Sequence, residues 1–505
     1  MPLGLAIGPW QLASGTLFGE GVAVRAYSSY HRLRQVGWLS VRLSCLSDSI
    51  EGISVISNLH PSKHDLWFLP LGGTGEIGMN LNLYGHAGKW LMVDCGVTFN
   101  AGLSPGATAL HEVVSADPSF IADRHEDLVG IVITHAHEDH IGAVPQLWRR
   151  FRCPVYTTAF TAEFLRRKLA QVGLLGKVPI IEVATRARID IGPFNVEWLP
   201  LTHSLPEPHA LVIRTEAGNV FHTADWKIDY QPVVGEPFDP LPFQELAHEN
   251  ITAMVCDSTN ANRPGRSLSE GALYEGLYEL IEAAEGRVVV GCFGSNIARL
   301  ITLAKIAQQT GRYMALLGRS LQNMVNTAQA TDVWPKDLRL IDASHLAYLP
   351  KSEVLLVATG SQGEPRTALN RLANNSHYDC ELEAGDTVIF SSIVIPGNEL
   401  SVARLIAALE RKQVHIVLAN AASKPIHASG HPCADEVAEL YRWVQPAIAI
   451  PVHGEAEHLR ANAAIAKAAH IPTQLVGVNG DLYILSDRVR IRPEAVKAGR
   501  IALKQ

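Results

Sequence analysis

Apolar residues in this chain gather into short runs, and the rhythm of those runs changes near residue 269. Before that point the runs are strand-like, bounded by glycine, proline and small polar residues. Asp65-Leu66-Trp67-Phe68-Leu69-Pro70-Leu71 opens the series. Leu81–Tyr84 and Lys89–Val93 read as a hairpin closed at His86-Ala87-Gly88. Ile131-Val132-Ile133 is a β-branched strand end, and Ile141-Gly142-Ala143-Val144 leads into a helix. Val155–Thr158 predicts a strand and Ala159–Gln171 a helix. A strand over 195–201, a hairpin of Leu211–Thr215 with Asn219–Thr223 and a strand over 251–258 complete this part.

From about 269 strands and helices alternate: helix Leu268–Ala284, strand Val288–Cys292, helix Ser295–Thr310, strand Tyr313–Leu317 and helix Leu321–Ala330. Strand Val354–Ala358, helix Pro365–Ala373, strand Thr387–Ser391, helix Leu400–Arg411 and strand Val414–Leu418 follow. Alternation of this kind implies a mainly parallel, three-layer α/β unit. It reads as an insertion, because ligand-type motifs resume after it. The expected partition is an N-terminal extension over 1–62, a sandwich domain in two parts over 63–268 and 425–486, the inserted domain over 269–424, and a basic tail over 487–505.

Chemistry concentrates in Thr134-His135-Ala136-His137-Glu138-Asp139-His140, directly after a predicted strand. A tight loop there can turn His135, His137, Asp139 and His140 into one pocket, and imidazole with carboxylate suits zinc. A tetrahedral ion takes at most four ligands and an open catalytic ion about three. Four donors here plus distant ones therefore suggest two ions. Asp94, His203, Asp225 and Asp257 each stand at or just beyond a predicted strand end. Several such ends beside one loop fit a two-sheet sandwich with its site along a rim. Asp94 can orient a ligand imidazole from behind. Gly72-Gly73-Thr74-Gly75-Glu76-Ile77-Gly78 suits a sharp turn. It lacks the spacing and the following helix of a nucleotide-binding loop.

Composition sets the outer bounds. At 505 residues the chain is long enough for two or three domains. The formal charge of −7 does not announce a nucleic-acid binder. A local basic groove on an acidic protein remains compatible with one. Seven dispersed cysteines without a Cys-x-x-Cys pair argue against a disulfide framework and for a reducing compartment. No apolar run reaches membrane-spanning length. Residues 1–60 hold four arginines, no lysine and three acids. They read either as an over-long start, with translation beginning near 55–65, or as an organellar transit peptide. The corresponding location is cytoplasmic in the first case and organellar in the second.

The motifs together resemble the metallo-β-lactamase superfamily, its β-CASP branch and, within it, the ribonuclease J family. The resemblance covers about residues 65–486. It is carried by Leu71–Gly78, His135–His140, Cys256-Asp257-Ser258-Thr259-Asn260-Ala261 and Thr359-Gly360-Ser361-Gln362-Gly363-Glu364-Pro365. Ile395-Pro396-Gly397-Asn398-Glu399, His427-Ala428-Ser429-Gly430-His431 and Pro451-Val452-His453-Gly454-Glu455 add to it. It implies an αββα sandwich carrying an inserted β-CASP domain. It also implies two Zn²⁺ per chain, with Mn²⁺ or Mg²⁺ as substitutes. His135, His137, His203 and Asp225 would hold one ion, and Asp139, His140, shared Asp225 and His453 the other. Asp94 and Asp257 match supporting acids of the catalytic site, and His431 matches a histidine facing the scissile phosphate. Gly294-Ser295-Asn296 and His427–His431 match segments that grip RNA phosphate.

The implied function is hydrolysis of single-stranded RNA, 5′-to-3′ exonucleolytic, endonucleolytic or both, on substrates bearing a 5′-monophosphate. Two cations would lower the pKa of a water toward neutrality and neutralise charge building on the phosphate. Two departures stand out. Only a short stretch follows residue 486, where the family has a further C-terminal domain that aids assembly, so a homodimer or homotetramer is expected to be weakened. Ala298 stands where the family often has histidine. The competing readings are a DNA-directed β-CASP nuclease, a small ester, thioester or lactam hydrolase, and an RNA-binding subunit with a dead site. The inserted domain argues against the small substrate, and the filled ligand positions argue against the dead site.

Overall fold

The computed structural model describes residues 59–100, 112–395 and 397–503. The expectation for an N-terminal extension lies outside the described residues up to 58; Leu59, inside them, is already buried. Two sheets face each other. One runs in the order Arg490–Arg492, Leu482–Ile484, Trp67–Gly72, Leu81–His86, Lys89–Val93, Leu128–Val132, Val155–Thr157 and Ile180–Glu182. The other runs Thr473–Gln474, Ile448–Val452, Ile251–Asp257, Gly218–His222, His209–Thr215, Phe194–Pro200 and Arg188–Ile191.

Strand alternation builds the layers. Successive side chains point to opposite faces, so Leu66 and Phe68 enter the space between the sheets while Leu69 and Leu71 face outward. The inter-sheet core adds Tyr84, Leu91, Val132, Trp198, Leu211, Val255, Ile450 and Tyr483. The outer face of the first sheet packs on helices Val144–Phe151 and Ala159–Gln171. The outer face of the second packs on helices Ala434–Val444 and Ala456–Ala468. The result is the helix–sheet–sheet–helix sandwich that the resemblance implied. The hairpin at His86–Lys89 turns on Ala87 and Gly88, both at positive φ (48° and 76°). That pairing is the hairpin turn matched to strand twist.

The inserted unit is a five-stranded parallel sheet, ordered Tyr313–Leu317, Val354–Ala358, Val288–Gly291, Thr387–Phe390 and His415–Leu418. Its three central strands are buried throughout, as strands covered on both faces must be. Helices Tyr274–Glu282, Ile297–Gln309 and Arg319–Ala330 share the core cluster on one face, and Ala368–Ala373 and Glu399–Glu410 the cluster on the other. The expected helix over 268–284 is shorter: a 3-10 turn at Gly271–Leu273 precedes Tyr274–Glu282.

The basic stretch expected as a tail over 487–505 is not free. Arg490–Arg492 pairs with Leu482–Ile484, and Arg500–Ala502 pairs with Glu112–Ala116. Short edge strands alternate basic and apolar residues, so their composition resembles a solvated tail. Among the described residues, no helix is long and apolar enough to cross a membrane, and all six described cysteines are free.

Phe68 tests the inter-sheet core. It is fully buried, with its ring 5.3 Å from those of Tyr84 and Tyr483. Phe68→Ala is expected to destabilise the chain by about 3–5 kcal/mol in denaturant unfolding. A loss well below about 1 kcal/mol would mean the two sheets are not packed through this ring.

Candidate metal centre

The centre forms where strand ends from both sheets meet. From the first sheet, Lys89–Val93 ends at Asp94, and Leu128–Val132 runs into the histidine loop. From the second, Phe194–Pro200 leads to His203, Gly218–His222 to Asp225, Ile251–Asp257 ends on Asp257, and Ile448–Val452 leads to His453. Asp94, Ala224 and His453 adopt positive φ (64°, 52° and 52°). Non-glycine residues rarely do so, and such strain gathers at functional sites. Gly96 shows why the first loop sits where it does. A β-carbon there would stand 1.7 Å from the Asp139 carbonyl oxygen. Without one, Cys95 and Val97 donate backbone hydrogen bonds to His140 and Glu138 at 2.7 and 2.9 Å.

Three imidazoles converge first. His137 Nδ1 lies 3.2 Å from His135 Nε2 and 3.1 Å from His203 Nε2. The outer nitrogens fix the tautomers. His203 Nδ1–H donates to the Gly430 carbonyl at 2.5 Å. Thr134 Oγ1 donates to Asp94 and therefore accepts from His135 Nδ1 at 3.0 Å. The Nε2 lone pairs of His135 and His203 are thus aimed at a common point. Burial pushes all three imidazoles down, His137 to about 4. They are neutral at physiological pH, as metal ligands must be. With Asp225, their donor atoms lie within 4.8 Å of one another.

Asp139, His140, Asp225 and His453 form a second such group, again within 4.8 Å. His140 Nδ1–H donates to Asp94 at 2.7 Å, leaving Nε2 3.1 Å from Asp225. His453 lies 3.3 Å from Asp139 and 3.2 Å from Asp225. Burial pushes the carboxyls of Asp139 and Asp225 up, but the neighbouring His140 and His453 outweigh it and hold both below the usual range. Burial likewise lowers His140 and His453, and the carboxylates around them, Asp225 foremost, raise both well above their ordinary value. The pocket is built to attract positive charge. Its mixture of imidazole and carboxylate fits a divalent ion of the zinc or manganese type.

His431 stands beside this pair of groups. Its Nδ1 donates to Asp257 at 2.8 Å, and Asp257 also accepts from Thr259 Oγ1 at 2.7 Å. The loop bearing it is tightly seated, since a β-carbon on Gly430 would lie 2.5 Å from His203 Cε1.

Three family profiles match in order along the chain: "Metallo-beta-lactamase superfamily" over residues 78–244, "Ribonuclease J, beta-CASP domain" over 285–409 and "Zn-dependent metallo-hydrolase RNA specificity domain" over 420–476. A ribonuclease J from Sinorhizobium meliloti is 42% identical over 426 residues, which are 84% of this chain and 74% of that protein. The chain belongs to the ribonuclease J family. Another ribonuclease J, from Mycolicibacterium smegmatis, is 38% identical across 82% of this chain and 74% of its own length. A crystal structure of a protein of unknown function from Enterococcus faecalis shares the fold, with a TM-score of 0.58 at 16% identity over 83% of this chain and all of that one.

In this ribonuclease J family member, the seven residues expected as metal ligands fall into two donor groups that share Asp225. Asp94 lies behind His140, and Asp257 behind His431. Phe293, the residue before Gly294-Ser295-Asn296, meets His427, their rings centred 6.4 Å apart. Ser429 Oγ accepts from Asn260, and Ala428 is buried. Burial and nearby Arg299 push His427 down to about 3. The Asn296 side chain accepts from Arg299 N and donates to Glu270, so it is committed to the fold. Ala298 is buried in the following helix.

Other participants escaped the sequence reading. Asn80 Nδ2 lies 3.1 Å from His140 Nε2, and Thr259 Oγ1 lies 3.0 Å from His453 Nδ1. Asp225, Asp257, His431 and His453 make a third group of donors within 4.8 Å. Thr259 had a local signal, because a threonine two residues after an aspartate commonly hydrogen-bonds back to it. Asn80 had only its place after a glycine-rich loop.

Asp94 provides the test of this support. Asp94→Ala leaves His140 Nδ1 without its acceptor and is expected to weaken divalent-metal affinity by about 10–100-fold in competition with a chelator. Unchanged affinity would show that Asp94 does not orient His140.

Proposed function

We propose that the chain is a two-zinc ribonuclease that hydrolyses phosphodiester bonds of single-stranded RNA. The observation that carries this reading is the pair of adjoining donor groups sharing Asp225, with His431 held beside them by Asp257. His135, His137, His203 and Asp225 would hold one zinc, and Asp139, His140, Asp225 and His453 the other; manganese or magnesium can replace them in the reading. Bound there, the ions supply a water ionised near neutral pH and positive charge against the phosphate. The protein's own groups do the rest. Asp94 and Thr134 fix His140 and His135 in the tautomers that face inward. Asp257 holds the Nδ1 proton of His431, so Nε2 is the nitrogen turned to substrate. From there it donates a proton or hydrogen bond to the leaving 3′-oxygen, and the products carry a 5′-phosphate and a 3′-hydroxyl.

Gly294–Asn296 and His427–His431 form the phosphate grip. Because the Asn296 side chain is engaged elsewhere, that segment contributes Ser295 and the positive end of the helix Ile297–Gln309, where anions are favoured. A grip at this end favours a terminal 5′-monophosphate. The free cysteines support a reducing, cytoplasmic setting.

The substrate assignment is tested with 5′-monophosphorylated and 5′-triphosphorylated single-stranded RNA of one sequence. The expected result is faster loss of the monophosphorylated form, abolished by chelator and restored by zinc or manganese, with metal analysis giving about two ions per chain. Equal rates on both ends would remove the terminal-phosphate pocket, and activity untouched by chelation would remove the metal mechanism.

Two histidine variants separate ligand from proton donor. His453→Ala is expected to lower metal occupancy and recover partly with added metal. His431→Ala is expected to keep its metal yet lose about 10²–10⁴-fold in single-turnover cleavage, with no recovery. Loss of zinc from His431→Ala with rescue by added metal would reverse the roles.

A further inference from the structure

Arg299 is in an unexpected place. It is the third residue of the helix Ile297–Gln309, where the helix dipole disfavours positive charge. Its side chain is 1% exposed, as is that of its partner Glu270. A buried ion pair of this kind commonly stabilises a fold no better than apolar residues of the same volume. Its value must lie in what it holds.

What it holds is the junction between the sandwich and the inserted sheet. Arg299 Nη2 lies 3.1 and 3.2 Å from the two Glu270 oxygens, and Nε 3.3 Å from Oε2. Nη1 donates to the Ser391 carbonyl at 2.9 Å, to the Ser391 hydroxyl, and to the Ile426 carbonyl at 3.4 Å. Glu270 lies on the segment entering the inserted unit, Ser391 at the end of its strand Thr387–Phe390, and Ile426 on the segment leaving it. Two substrate-side segments hang on these same atoms. Glu270 Oε1 accepts from Asn296 Nδ2 at 3.2 Å, and the Ser391 carbonyl also accepts from His427 Nδ1 at 3.2 Å.

The network is anchored on the sandwich side. Asp229 accepts from the Glu270 backbone at 3.0 Å and from Ser269 Oγ at 2.6 Å. Lys227, itself buried and 3.2 Å from Asp229, donates to the Leu268 carbonyl at 2.9 Å. Lys227 and Asp229 follow Asp225 by two and four residues. A continuous line of buried polar contacts therefore runs from the segment after the shared carboxylate to the inserted sheet.

We propose that Arg299, through its buried pair with Glu270, is a positioning residue for RNA hydrolysis: it sets where the 294–296 segment and His427 stand relative to the metal centre. The inference rests on the RNA-hydrolase reading above. A planar guanidinium spans three acceptor residues at fixed angles, which an ammonium cannot do. The pair acts on polymer presentation and leaves the metal chemistry intact.

The test uses Arg299→Lys and the apolar double variant Glu270→Leu/Arg299→Met, which removes both charges together and keeps the protein folded if the single variant does not. Each full-length protein is assayed for bound metal, for hydrolysis of bis(p-nitrophenyl) phosphate and for kcat and KM on single-stranded RNA. Both variants are expected to keep their metal and hydrolyse the small diester like the parent. On RNA they are expected to lose about 10²-fold in kcat/KM, the scale of a displacement of about 1 Å. A folded double variant with full kcat/KM on RNA overturns the inference and leaves the pair a purely structural device. Parallel loss of metal and of small-diester hydrolysis overturns it too, because the pair would then support the centre itself. A parent protein that cleaves the small diester but not RNA overturns the RNA-hydrolase reading and the inference with it, a pattern distinct from both others.

Discussion

The shared, buried carboxylate of Asp225 is the constraint around which the molecule is arranged. Unpaired, a carboxylate at this depth would cost several kcal/mol. Its neighbours are instead drawn from both sheets: His140 from the first, His453 from the second, with His135 and His431 each 3.9 Å away. None of these residues is adjacent in sequence to the one opposite it. They meet because both sheets end their strands along a single rim, and because Gly96 lets two backbone segments touch. The inter-sheet core holds that rim at fixed spacing, so the apolar packing and the polar centre depend on each other.

The inserted α/β unit extends this arrangement. Its parallel strands all point their C-terminal ends the same way, and the loops leaving those ends carry Gly294–Asn296 and Ser391. Open parallel sheets offer binding crevices at such ends. At these ends the Ser391 carbonyl accepts from His427, on the segment that returns from the inserted unit to the sandwich.

Much of this was legible in the sequence because its signals are local. The helix Ala159–Gln171 and the strands Tyr313–Leu317 and Val354–Ala358 have the bounds that their periodicity predicts. Four of the seven donors were legible because His135–His140 compresses four ligand-type side chains into one loop. The helices Ala434–Val444 and Ala456–Ala468 directly follow the ligand motifs at 427–431 and 451–455, whose local signal is the stronger. The Arg299–Glu270 pair and the grouping of Asp257 with His453 join residues far apart in sequence, and no periodicity records that. The strands near the C-terminus were masked by their charge, since an edge strand exposed to water alternates basic and apolar residues much as a solvated segment does.

The order of the chain adds a constraint in time. The strand Trp67–Gly72, made early, lies between Leu81–His86 and the late strand Leu482–Ile484. Glu112–Ala116 waits longer still for Arg500–Ala502. During synthesis the first donor group has all its residues once Asp225 has emerged, but the second lacks His453 until the inserted unit has been made. A chain stopped within that unit therefore carries six of the seven donors and lacks His453 and the strands Ile448–Val452 and Leu482–Ile484. The second donor group is thus completed only after the whole inserted unit has been made.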